Sequence, residues 1–316
     1  MARNFLNTII AFFVFFILIT LASSVWMFRQ INVPGPAQDE ATVQIEKGTS
    51  IKGIADILED RGLVSNALAF ELYARYAARE NPVQAGEYVF AAQSSMADIL
   101  AKLQSGEVIL HHITIPEGFT NYQIRQIVES DPLLKGDIKS MPPEGYLLPE
   151  TYNFPKGLER QEFIDRMHKD KMDLLDSIWS ERAEGLPIAS KEEAVILASI
   201  VEKETAVPEE RKKVAGVFIN RLNKNMRLQS DPTVIYALTA GVPPEDGPGA
   251  LGRRLLRKDL DFDSPYNTYE YAGLPPGPIC NPGEESLRAV LYPASHDYFY
   301  FVADGTGGHA FARTLA

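Results

Sequence analysis

Ser190-Lys-Glu-Glu-Ala-Val-Ile-Leu-Ala-Ser-Ile-Val-Glu-Lys-Glu-Thr205 drives an apolar segment into two closely spaced carboxylates just before Val207-Pro208. Ser190 and Glu193 have the spacing of a capping box, which marks a helix start. Pro208 disfavours helical geometry at the residue before it, so the spacing predicts one helix of about four turns. Counting back from Glu204 by three, four and seven residues reaches Val201, Ile200 and Leu197, so this carboxylate extends an apolar stripe. Glu202 stacks instead over Ser199, Ala198 and Val195. At ~100° per residue the two acids point about 200° apart, so only one is expected to work as an acid at a given site. Desolvation penalises a charged carboxylate and raises its pKa, which makes the acid at the end of a buried helix a proton donor near neutral pH. The competing reading takes both as solvated helix-end residues, the usual fate of a Glu-x-Glu pair.

Upstream, the run Phe5–Phe28 is 24 residues without a charge, flanked by Arg3 and Arg29. At ~1.5 Å per residue it rises about 36 Å, enough to cross a hydrocarbon core of about 30 Å with tilt. A cleavable signal peptide is the alternative, but its apolar core is shorter, and Val25-Trp-Met-Phe28 resumes the run after the weak small-residue site Leu21-Ala-Ser-Ser24. The expectation is an uncleaved anchor, with residues 1–4 cytoplasmic, 5–28 spanning, 29–40 a linker through Asn32-Val-Pro-Gly-Pro36, and the bulk of the chain on the outer face.

The remainder reads as α+β. Residues 41–108 are expected to form a small module with strands at Thr42–Glu46 and Gly86–Phe90 and helices at Ser50–Glu59, Asn66–Arg79 and Ser95–Gln104. This β-α-α-β order resembles the LysM-type fold that holds N-acetylglucosamine polymers, and a structural spacer is the alternative. Residues 109–316 are expected to form a larger mixed α+β domain. It opens with a strand at Ile109–Ile115, continues through the aromatic and acidic loop Glu144–Tyr152, and holds helices at Gln161–Arg182 and Glu209–Leu222. Asp231-Pro232 caps a short helix, Gly241–Gly249 is a surface loop, and Tyr298–Ala303 with His309–Phe311 forms a hairpin.

Composition narrows the chemistry. A formal net charge of -11 argues against nucleic acid and other polyanions, and a neutral polymer or sugar fits better. One cysteine, Cys280, allows no internal disulfide, and five histidines without ligand spacing leave no expected metal site or cofactor. His111-His112 are expected on the surface of a strand. Four segments carry groups suited to a saccharide: Asn220-Arg221, Gln229-Ser-Asp231, Tyr266-Asn-Thr-Tyr269 and Gly273–Ile279. Each has a bland reading as a turn or rigid connector.

In order along the chain, the motifs Glu-Gly-Tyr-Leu-Leu-Pro-Glu-Thr-Tyr, Ala-Ser-Ile-Val-Glu-Lys-Glu-Thr, Val-Phe-Ile-Asn-Arg-Leu, Leu-Gln-Ser-Asp-Pro-Thr-Val-Ile-Tyr, Tyr-Asn-Thr-Tyr, Gly-Leu-Pro-Pro-Gly-Pro-Ile and Tyr-Phe-Val-Ala-Asp-Gly resemble the endolytic murein transglycosylase family, the MltG or YceG-like proteins. The resemblance implies that Glu204 is the catalytic acid, in agreement with the stripe. It implies cleavage between N-acetylmuramic acid and N-acetylglucosamine within peptidoglycan strands, with a 1,6-anhydro end and termination of strand growth. It places the chain in the inner (cytoplasmic) membrane with peptidoglycan synthases nearby. Gln229, Asp231, Asn267 and Tyr269 are the expected substrate contacts, with Glu202 and Asn220 in support. Family members continue past the Phe-x-x-Thr-Leu region, so a truncated C-terminus is expected here. A non-catalytic glycan-binding scaffold and a hydrolase using water are the alternatives.

Overall fold

The computed structural model describes residues 2–77, 79, 81–244, 250–305 and 307–315. Most of the expected loop at Gly241–Gly249, like the terminal Ala316, lies outside them. The chain divides into two compact units, residues 1–111 with 154–157, and residues 112–153 with 158–316. Both mix helices with short strands, and the described strands pair into three two-stranded sheets, β1 with β2, β3 with β4 and β5 with β6.

The first unit begins with helix α1 (Ala2–Asn32), followed by β1 (Ala41–Ile45), α2 (Ile51–Asp60), α3 (Ala67–Ala77), β2 (Gly86–Phe90) and α4 (Met96–Ser105). Within α1, the most apolar 18-residue stretch of Ile9–Asn32 has a mean hydropathy of 2.5, and none of that stretch is buried. The helix runs on through Arg29-Gln-Ile-Asn32, into what the sequence predicted as linker, because the first helix breaker is Pro34. Strands β1 and β2 are antiparallel with Val43 opposite Tyr88 and Ile45 opposite Gly86. Two-residue periodicity therefore turns Val43, Ile45, Tyr88 and Phe90 to one buried face. Ile54, Leu58, Phe70, Ile99, Leu100 and Leu103 complete the core from α2, α3 and α4. Serines set the helix starts: Ser50 accepts from Gly53 N–H, and Ser95 forms a full capping box with Asp98. The β-α-α-β order matches the sequence expectation.

The chain passes through β3 (Leu110–Thr114), α5 (Asn121–Ser130) and β4 (Thr151–Pro155) into α6 (Arg160–Trp179), α7 (Lys191–Glu204), a 3-10 turn at Pro208–Glu210, α8 (Arg211–Asn223) and α9 (Asp231–Thr239). A second 3-10 turn at Arg257–Asp261, α10 (Glu284–Leu291) and the antiparallel hairpin β5 (Tyr300–Ala303) and β6 (His309–Ala312) complete it. Helix α7 is the centre of this unit, packed by α8, α9 and α10. Every residue from Ala194 to Val201 is buried, so the helix is enclosed all round and not, as the stripe implied, on one side. Ser190 caps it by accepting from Glu193 N–H, and the Glu193 carboxylate reaches Ala189 N–H in place of the Ser190 N–H of a full box.

Three elements were not anticipated. Helix α5 carries a complete Thr120/Gln123 capping box that the sequence displays, β4 begins inside the Glu144–Tyr152 segment read as a loop, and α10 follows Pro282-Gly283 with Glu284 and Glu285 in its first turn. On α6, Lys171 is fully buried among the apolar positions, its ammonium donating to Pro282 O at 2.6 Å, and this a hydrophobic pattern cannot anticipate.

Candidate active site

The last turn of α7 carries Glu202 and Glu204 in opposite directions, and their environments differ as much as their directions. Glu202 is 5% exposed and accepts from Gly283 N–H at 2.9 Å, at the start of α10, and from Arg211 at 3.4 Å. Arg211 in turn reaches Glu117 at 3.1 Å. Bonded to a helix N-terminus and a guanidinium at once, Glu202 joins α7, α8 and α10.

Among the described residues Glu204 has no cation in direct contact. Ser230 Oγ donates to its Oε1, and burial pushes its carboxyl up to about 7. The Ser230 hydroxyl, His309 and Arg221 hold that rise back, while the nearby Asp231 adds to it. Glu204 keeps part of its surface open to solvent. The physical result is a carboxylic acid holding its proton near neutrality, with one oxygen engaged and the other available.

Ser230 is presented by the turn that precedes α9. It is the N-cap residue of that helix, yet its hydroxyl makes no cap bond and is spent on Glu204. Its N–H donates to Thr268 Oγ1 at 3.0 Å, and Thr233 and Thr268 share a hydroxyl contact at 2.9 Å. This buried hydroxyl cluster fixes the serine. Gln229, just before it, sits at φ +50° with its N–H donated to Thr268 O at 3.1 Å and its side chain exposed. A left-handed non-glycine residue is a strained conformation of the kind that concentrates at functional sites. Asp231 accepts from Tyr269 OH at 2.7 Å, which joins α9 to the 266–269 segment at the edge of the site.

The structure therefore brings Glu204, Asp231 and Tyr269 together, with Gln229 adjacent. It corrects the expectation for Asn267. That side chain is fully buried, donates to Leu260 O and Phe262 O at 2.8 Å each, and accepts from Tyr269 N–H at 2.9 Å. No amide group is left for a ligand, because holding the loop consumes them all. Asn220 donates to His296 O at 2.9 Å and Tyr298 O at 3.0 Å, which ties α8 to the segment before β5.

Three further residues shape the site. Arg221, buried beside Asn220, donates to Phe299 O at 2.7 Å and Leu228 O at 2.5 Å and lies over the Tyr300 ring. His309 enters on β6 and is clasped by Glu210, which takes its N–H at 2.8 Å and its Nδ1 at 2.7 Å. Burial pushes the Glu210 carboxyl up, yet the two His309 bonds hold it below the ordinary range. Ser230 and Arg221 lie in segments the sequence singles out, whereas His309 reads there only as part of a hairpin strand. What singles out Ser230 is that a serine precedes Asp-Pro at a helix start while Glu204 needs a donor, a pairing visible only in three dimensions. Among the described residues no three His, Cys, Asp or Glu side chains gather as a metal-ligand set.

A second buried carboxyl, Glu144, is pushed by burial to about 7. It accepts Asn121 N–H at 2.9 and 3.2 Å, at the start of α5, and Asn281 Nδ2 at 3.0 Å. Asn281 also donates to Phe119 O and accepts from Leu147 N–H, so this acid is part of a bracing network.

These features set a buried carboxyl with a raised pKa, Glu204, on an α+β scaffold with polar and aromatic side chains at its edge. The sequence model of the YceG-like family matches residues 43–316, and the chain belongs to that family. An endolytic murein transglycosylase of Bacillus subtilis (strain 168) is 33% identical over 306 residues, covering 86% of this chain and 81% of that protein. One from Streptococcus pneumoniae serotype 2 (strain D39 / NCTC 7466) is 32% identical over 321 residues, and the match spans 55% of that longer protein. Among solved structures, a putative yceG-like protein from Listeria monocytogenes aligns with a TM-score of 0.52 at 34% identity, covering 88% of this chain and 97% of that one.

Proposed function

We propose that the chain is a membrane-anchored endolytic peptidoglycan lytic transglycosylase that uses Glu204 as acid and then as base. The observation that carries this is the state of Glu204: a carboxyl lifted by burial to about 7, with Ser230 on Oε1 and no cation in contact among the described residues. Family membership supplies the substrate class. In the first step Oε2 gives its proton to the oxygen linking N-acetylmuramic acid to the next N-acetylglucosamine, and the C1–O bond breaks with its electron pair leaving on that oxygen. The carboxylate so formed is stabilised by the Ser230 hydroxyl, whose bond strengthens when its acceptor becomes charged. In the second step the C6 hydroxyl of the same muramic acid closes on C1 and its proton returns to Glu204, giving a 1,6-anhydro end. A glycosidase using water ordinarily places a second carboxylate across the bond. Here the sugar's own hydroxyl takes that part, which suits a site with one acid free to cycle.

Asp231, Tyr269 and the exposed amide of Gln229 are assigned to orienting the glycan. The β-α-α-β part of the first unit is assigned to LysM-like glycan holding, and α1 to a single span of the inner membrane with the rest of the chain on the outer face. In that place the cut falls on newly made strands near the synthases and ends their growth.

The test is mass spectrometry of uncrosslinked glycan strands incubated with the full chain in detergent, wild type beside Glu204→Gln. Internal fragments with 1,6-anhydro ends from wild type alone are expected. Reducing ends would indicate a hydrolase, and intact strands that remain bound to both proteins would indicate a scaffold.

A further inference from the structure

Helix α3 exposes what a helix on a small soluble unit normally hides. Its inner face is Ala69, Phe70 and Ala74, all buried. On the outer face Leu68 is 63% exposed, Leu72 50% and Tyr76 76%. At ~100° per residue these three and Arg75 fall within an arc of about 100°, and from Leu68 to Tyr76 the stripe runs about 12 Å along the helix. Arg75 pairs with Glu71 at the border, and Arg79 lies exposed just beyond the helix end.

The position of this stripe in its unit says what covers it. Helix α1 packs against α3 and α4, and only its last turns take part: from Ile9 to Trp26 the chain is exposed throughout, whereas Met27, Gln30 and Ile31 are partly covered, with Met27 set on the core of the unit. At ~1.5 Å per residue, Met27 stands about 27 Å along the helix from Ile9, which is the far edge of a hydrocarbon core of about 30 Å. The residues of α1 that meet α3 are thus those at the water boundary. Trp26 and Arg29 at the same level line a cavity with Gln30, Val33, Ser65 and Met96, an aromatic and a cation where membrane helices favour them.

We propose that the outer face of α3 is a membrane-contact surface, with Leu68, Leu72 and Tyr76 seated in the headgroup and acyl boundary of the bilayer that α1 crosses, and Arg29, Arg75 and Arg79 beside anionic headgroups. The inference rests on the anchor reading above and adds to it that the small unit lies on the membrane and does not swing from a tether. Two leucines and a tyrosine flanked by arginines are the composition of an interfacial helix. A glycan platform would need amide partners for hydroxyls and acetamides, and this face offers none. A leucine pair on water beside a helix already in lipid is covered at little entropic cost, because α1 holds it there.

Single cysteines at Leu72, Phe16 and Asp56 of the full chain, with Cys280 left in place because it is buried, are labelled with an environment-sensitive fluorophore and reconstituted in anionic vesicles carrying nitroxide lipids. Deep nitroxides should quench the Phe16 label, headgroup-level nitroxides the Leu72 label, and neither the Asp56 label. Reversing charge with Arg75→Glu and Arg79→Glu should weaken the Leu72 quenching and leave that at Phe16 unchanged. Quenching at Phe16 while Leu72 behaves like Asp56 overturns the seating and leaves the anchor standing. No quenching at Phe16 removes the anchor and the seating with it. A Leu72 label shielded in proportion to protein density, without lipid quenching, assigns the face to a second copy and also overturns the proposal.

Discussion

Replacing Glu204 with Gln should stabilise the larger unit at alkaline pH and leave it unchanged in acid. In the folded state burial raises the carboxyl from its ordinary 4.5 to about 7. Between those values the native state binds more protons than the unfolded chain, so stability is lost as pH rises and the full penalty is present above about 7. A shift of about 2.5 units at ~1.4 kcal/mol each gives roughly 3.5 kcal/mol. Gln has the shape of the protonated acid and still accepts from Ser230, so it avoids the penalty. At ~2–4 °C per kcal/mol for a unit of this size, the midpoint should rise by roughly 7–14 °C at pH 8.5. Near pH 4.5 the difference should nearly vanish, because wild type then carries the proton in the fold. Calorimetry of the full chain in detergent, comparing the two proteins at both pH values, decides it. An equal difference at the two pH values would refute the argument, since an uncharged-shape effect does not depend on pH. So would no difference at pH 8.5. This readout needs no substrate, and it ties the acid's chemical readiness to a stability the fold gives up.

Ser230→Ala removes the hydroxyl that favours the Glu204 anion; the alkaline limb of the kcat/KM pH profile should move up by about one unit with a fall of about tenfold on the plateau, as expected for a bond of ~1.5 kcal/mol to a charged group. His309→Gln, which takes away the ring that Glu210 clasps, should move the same limb upward by less, because the ring acts on Glu204 through space. Glu202→Gln weakens the tie of Gly283 and Arg211, so a stability loss of about 1–3 kcal/mol in chemical denaturation should come with an unmoved alkaline limb. Lys171 is held down to about 7 by burial, so its penalty is relieved as pH rises from about 7 towards its ordinary 10.5; Lys171→Met should flatten that rise in a pH series of melting curves.

Along α7 the sequence and the structure agree on extent and disagree on surroundings. Periodicity and caps set the helix at Lys191–Glu204, because Ser190 and Pro208 act within a few residues of themselves. Nothing local says that α8, α9 and α10 enclose it, and so the stripe argument reached Glu204 while missing that Glu202 is buried too. Asn267 is the reverse case. Its position in Tyr-Asn-Thr-Tyr read as ligand chemistry, but whether an amide is free depends on which carbonyls the fold brings to it, here Leu260 O and Phe262 O. The exposed face of α3 is of the same kind: the sequence gives the helix but not its orientation, and the packing of Phe70 and Ala74 is what turns Leu68, Leu72 and Tyr76 outward.

By itself the sequence determined the apolar first helix, the helix and strand order of the small unit, and the extent of α7 with Glu204 at its end, since these follow from hydrophobic period and capping residues. Only the tertiary structure decided that Ser230 is the partner of that acid, that Glu202 is tied to Gly283 and Arg211, and that Glu210 holds His309 beside the site. Hydrogen bonds and burial join residues 26 to 99 positions apart, and a carboxyl's proton affinity is set by what surrounds it in space.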